Sequence, residues 1–180
     1  MPTELKARMP RNDNDATIGY YTVTSDERTG WIGGMLVLNS GGRPLEFQCT
    51  LPVRPTRAHE ILYGPTLRDH LIGEVIGALL VKKCRTPISL ICCDQPEALQ
   101  LAAVAECPVA LVTQAAESDE GPITDDMLSG FGVVELAGAK LRVPVQDTPL
   151  VRDLITRFAD LPDGVEPLDR IREAIKEAQS

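Results

Sequence analysis

The residues best suited to chemistry gather between positions 52 and 70, in the stretch PVRPTRAHEILYGPTLRDH. Arg54, Arg57, His59, Tyr63 and Arg68 lie on a proline-punctuated connector that feeds a helix start at Gly64-Pro65-Thr66. Free N–H groups and the positive dipole end make a helix start attractive to anions. Guanidinium groups beside it can grip phosphate or carboxylate in a two-pronged fashion. The plainer reading pairs these arginines with Glu46, Glu60 and Asp69, as surface charges usually are. A second group lies just downstream. Gly73 and Gly77 form a G-x-x-x-G pair inside a helix, where each glycine costs about 1 kcal/mol relative to alanine. Together with His70 and Glu74 they mark a face for close packing against another helix or a partner.

Cysteine chemistry is a poor fit. There are five cysteines and two histidines, no C-x-x-C, and no cluster at metal-ligand spacing. Cys92 and Cys93 are adjacent in an apolar run and read as buried thiols. The glycine tracts match neither a dinucleotide-binding loop nor a P-loop, and there is no G-x-S-x-G. No metal and no cofactor is therefore expected.

The elements that hold these residues follow from pattern. Residues 66–94 form the spine: Leu67, Leu71, Val75, Ile76, Leu79 and Leu80 recur at helical spacing. Lys82, Lys83 and Arg85 then load the helix end favourably, and Thr86-Pro87 stops it. The strand at 88–93 is apolar on both faces and must lie inside a sheet. Before the spine, residues 17–24, 31–38 and 44–51 read as an antiparallel meander with a turn at Asn39-Ser40-Gly41-Gly42. Alternation in the third strand points Leu45, Phe47, Cys49 and Leu51 at the core. Thr56 caps a short helix over 57–63. After the spine, Asp94, Pro96 and Glu97 fit a capping box, followed by a helix and a strand at 108–113. A hairpin over 133–145, with Pro144 suggesting an edge strand, precedes two helices.

With 180 residues and a net charge of −8, the chain suits one domain. The organisation expected is a flexible arm at 1–16, one α/β domain at 17–160 and a helical extension at 161–180. No apolar run spans a bilayer and no secretory signal opens the chain, so a cytoplasmic protein without membrane contact is expected. The acidic balance argues against general nucleic-acid affinity. Acidic residues collect between 117 and 126.

The order β-β-β-α-β-α-β resembles that of the ribonuclease H-like fold, in which three antiparallel strands precede a helix and two parallel strands. The fold class expected is α/β: a three-stranded meander followed by βα units in one mixed sheet, helices on both faces, then a hairpin and two helices. A two-metal nuclease of that topology needs carboxylates from the first strand, the first long helix and the end of the fourth strand. Glu74 and Asp94 occupy two of these places. The first strand carries no acid, and capping is the simpler role for Asp94.

The sequence reading thus favours a non-catalytic binding or assembly-subunit domain, with a protein partner or self-association. The alternative is an enzyme or ligand-binding domain for a small phosphorylated or otherwise anionic molecule at residues 54–68, and the nuclease comes third. Whether the chain is an enzyme stays open at this stage.

Overall fold

The structure is a computed structural model, which describes residues 16–115 and 125–180. The expected arm and most of the acidic stretch at 117–126 lie outside these residues. Three strands open the fold: β1 (Ile18–Asp26), β2 (Gly30–Leu38) and β3 (Pro44–Cys49). Helix α1 (Arg57–Tyr63) follows, then a π-helix (Asp69–Ile76) running into α2 (Gly77–Lys83). Strand β4 (Leu90–Cys93) leads through a 3-10 helix (Pro96–Leu101) and α3 (Ala102–Ala105) to β5 (Val109–Val112). Strands β6 (Phe131–Leu136) and β7 (Ala139–Pro144) precede α4 (Thr148–Ile155) and α5 (Pro167–Gln179).

The strands form one seven-stranded mixed sheet in the order β3-β2-β1-β4-β5-β7-β6. Strands β1, β4 and β5 run parallel in the middle. β4 is the central strand and is buried throughout, as two apolar faces require. One helical layer, α4 and α5, packs on Tyr20, Leu36, Cys92 and Val143; the other packs on Tyr21, Met35, Ile91 and Leu111. The α/β class and the layered order expected from the sequence are therefore present. The helix expected as an extension, α5, lies within the first layer through Leu168, Ile171 and Ile175.

Two adjacent tyrosines tie the sheet to both layers. Tyr20 donates its hydroxyl to the Gly164 carbonyl at 2.7 Å, and Tyr21 donates to the Ile72 carbonyl at 2.6 Å on the other face. Ile72 also accepts from the Gly77 N–H, an i to i+5 bond. A side chain donating into a helix's carbonyl ladder accompanies such local widening.

Four expectations need correcting. The wide turn changes the phase of the spine helix, so Ile72, Gly73 and Gly77 are buried while Leu79 is 40% exposed. Strand β3 lies at the sheet edge, where its inward face is only partly covered: Cys49 packs against the core, but Leu45 and Phe47 are exposed, and beyond the strand Leu51 is exposed and Thr50 buried. A register shift beside Val37 and Leu38 interrupts the β2–β3 pairing. Pro144 is not on an edge strand, because β7 lies between β5 and β6; it ends the strand beyond the β5 pairing. Asp94 does not cap the following helix, whose N-cap is Gln95 without a side-chain bond.

Candidate functional site at the carboxyl rim of the sheet

Side chains with polar chemistry converge where the three parallel strands end. Ligands of open α/β sheets commonly bind at this rim. The β1–β4 register runs to Tyr21 beside Cys93, so the next step sets Thr22 beside Asp94, both on the α5 side of the sheet. Asp94 is 1% exposed, and its Oδ2 takes a charged hydrogen bond from Arg172 of α5. Arg172 also bonds Asp169 at 3.0 Å and stays 34% exposed. Burial pulls its guanidinium below its ordinary value. Asp94 Oδ1 and Thr22 Oγ1 are both buried with no hydrogen-bond partner among the described residues. Such atoms are rare in folded proteins, and each asks for an explanation.

Gln95 closes the rim between the strands. Its side-chain amide accepts from the Val23 N–H at 3.0 Å and donates to the Val23 carbonyl at 2.9 Å. A side chain thus supplies the rung that the short β4 backbone cannot. On the opposite side of the sheet, Glu97 receives Arg68 at 3.1 Å, and Arg68 lies 5.8 Å from the Trp31 ring centre.

The segment 52–70 sits on this same rim. Val53 exchanges backbone hydrogen bonds with Trp31, and Arg54 donates to the Arg28 carbonyl in the β1–β2 turn. Helix α1 is capped by Thr56, whose hydroxyl accepts from His59 at 3.1 Å, and it ends at Gly64 with φ 50°. None of its residues is buried. Leu62 is 80% exposed and Leu51 84%. Arg57 pairs with Glu60 at 3.1 Å. Tyr63 stacks on His70 with ring centres 4.0 Å apart, and His59 meets the same tyrosine edge-on at 6.2 Å. The chain's two histidines thus bracket one aromatic ring.

Among the expected site residues, Arg54, Arg57, His59, Tyr63 and Arg68 do share the rim, although Arg57 and Arg68 have acidic partners. His70 bonds the Glu74 carboxylate through Nδ1 at 2.8 Å. Gly73 and Gly77 face away from this pair: a Cβ on them would lie 2.0 Å from the Gln100 side chain and 2.5 Å from Leu101. The close packing is internal to the chain. Sequence reading missed Arg172, Thr22, Trp31 and Gln95. Arg172 had one legible sign, since it borders the apolar stripe Leu168, Ile171, Ile175.

The divalent metals that a nuclease of this topology would use do not fit these residues. Among the described residues no three His, Cys, Asp or Glu side chains stand close enough to hold an ion. β1 offers Thr22 where an acid is needed, and Glu74 is bound to His70. Thiols add nothing, as Cys92 and Cys93 are pushed well above their ordinary value by burial. Cys84 and Cys107 are both raised to about 12, again chiefly by burial.

No family model and no curated protein sequence matches the chain. Solved structures do. The order of elements, three antiparallel strands before a helix and two parallel strands, resembles that of the ribonuclease H-like fold. Human endonuclease V superposes with a TM-score of 0.49 at 11% identity, covering 92% of this chain and 86% of that one. Two structures of endonuclease V from Ciona intestinalis give 0.49 at 11% and 13% identity, each covering 97% of this chain and 94% of that one. Both were solved with DNA containing an inosine followed by a ribo-adenosine. These neighbours, endonucleases by name and two of them solved with DNA, stand against two expectations from the sequence, the non-catalytic binding or assembly subunit and the lack of general nucleic-acid affinity. At such identity the likeness concerns the fold alone. No described helix is long and apolar enough to cross a membrane.

Proposed function

We propose that this chain acts on nucleic acid as a domain of the nuclease class, with the phosphodiester backbone lying over the carboxyl rim. The observation that carries the reading is the pair of buried, unpartnered oxygens, Asp94 Oδ1 just past the end of β4 and Thr22 Oγ1 midway along β1, where the parallel pairing of the two strands stops. In hydrolysis a water attacks phosphorus and gives its proton to the unpartnered Asp94 Oδ1, while the P–O ester bond breaks and the leaving oxygen takes a proton from solvent. Asp94 is the carboxylate at the end of the central strand, and Thr22 is the neutral hydroxyl beside it. Arg54 and Arg57, on the exposed connector and helix next to this rim, supply charge for the phosphates. The overall charge of −8 sets the salt limit: such binding is local and electrostatic, and it weakens steeply as counterions compete.

The test is fluorescence anisotropy with single- and double-stranded oligonucleotides at low salt, paired with a gel assay for strand cleavage. Arg54→Ala plus Arg57→Ala should weaken binding on every sequence and reduce the log–log salt slope by roughly 2. Both positions are solvent-facing, so melting temperature should hold. Asp94→Asn should abolish cleavage while the oligonucleotide stays bound. No binding to any oligonucleotide at low salt would sink the proposal.

A further inference from the structure

We infer that Arg172 is the built-in counter-cation of Asp94, so that the end of β4 accepts a guanidinium from α5 rather than a divalent metal ion. Magnesium and manganese need several hard oxygens around them in near-octahedral order. The rim offers the Asp94 carboxylate with Thr22 alongside it in β1. Glu97 lies on the other side of the sheet with its Oε1 bonded to Arg68, and among the described residues no three acidic, His or Cys side chains come together. A carboxylate 1% exposed cannot stay ionised in the interior without a compensating cation, and Arg172 delivers one with a direct hydrogen bond to Oδ2.

Ile171 and Ile175 are buried against the sheet, and Ile171 lies where a Cβ on Gly34 of β2 would be 2.5 Å from its Cγ2. The helix is therefore seated too closely on the sheet for Arg172 to be a loose surface arm. Asp169 holds the same guanidinium from one turn earlier at 3.0 Å. The carboxylate at the heart of the rim is neutralised from within the chain, by Arg172 and not by a metal. This inference uses the geometry of the same rim but does not require that nucleic acid be cleaved.

The experiment is thermal melting of the full chain with EDTA, millimolar Mg²⁺ or millimolar Mn²⁺, together with water-proton relaxation to detect bound Mn²⁺. The wild-type melting temperature should be the same in all three, with no relaxation enhancement. Arg172→Met should lower it by roughly 6 to 12 °C, the loss expected when a buried charge is stranded in a chain of this size. In an Asp94→Asn background the same substitution should cost far less, because the two sites are coupled. A saturable Mn²⁺-dependent rise in wild-type melting temperature that disappears in Asp94→Asn would overturn the inference. Equal losses from Arg172→Met in both backgrounds would do the same. If Arg172→Met does not fold, the wild-type relaxation titration decides alone. No nucleic acid is present, so failure here is separate from failure to bind an oligonucleotide.

Discussion

The two halves of the carboxyl rim handle charge in opposite ways. Beneath α5, Asp94 is buried and answered by one cation that the chain brings from 78 residues away. On the connector and α1, Arg54 and Arg57 stand in solvent on elements with no buried side chain, held by a cap, a backbone carbonyl and an i,i+3 pair. A buried pair is costly to break because the survivor is stranded. An exposed pair contributes little to stability. The first arrangement fixes the shape of the rim, and the second leaves its guanidinium groups in solvent.

That contrast can be broken hardest at Gly34. A valine there must displace Ile171, and with it the turn of α5 that carries Arg172. Overpacking of this kind costs about 2 to 3 kcal/mol, and urea unfolding should show it. Gly34→Val should also reduce the coupling between Asp94 and Arg172 in a double-mutant cycle, since the helix no longer seats.

A smaller effect belongs to the sheet edge. Burial pushes the Glu46 carboxyl up, but hydrogen bonds from Gln48, Thr86 and Arg85 prevail and hold it at about 2, against an ordinary 4.5. A lowered folded-state value stabilises the fold above pH 4.5. That contribution is lost as pH falls from 4.5 towards 2. Acid titration of Glu46→Gln should therefore show a shallower decline across that window than the wild type. The smallest effect is expected on the exposed half of the rim. Leu62→Ser should change stability by no more than about 0.5 kcal/mol, in the same urea assay, because none of the described residues covers that side chain.

Much of this architecture was legible because it depends on short-range pattern. The two apolar faces of residues 88–93 announced the central strand, and Thr56 with Gly64 bounded α1. The layer order followed from alternating helix and strand signals. What escaped depends on geometry that spacing does not encode. The apolar stripe of the spine assumed a uniform helical period, and the π-helical turn shifted its phase, exchanging Leu79 for Ile72 and Gly73. In β3 the alternation put Cys49 against the core as expected, but the edge position left Leu45 and Phe47 exposed, since an edge strand has less core to cover it. Asp94 satisfied a local capping rule and was claimed instead by a residue on the last helix. Local rules lose where a long-range ion pair has a stronger hold on the same oxygen.

The tyrosine pair in β1 has a kinetic consequence. Because consecutive residues anchor the 163–165 loop on one side and the π-helix on the other, neither helical layer can peel away without disturbing the same two-residue length of strand. Local opening on the two faces should then be a single event. Amide exchange at Ile76 and Gly77 and at the Leu168 end of α5 should share one opening free energy. Tyr21→Phe should accelerate both, although the change lies on one face only.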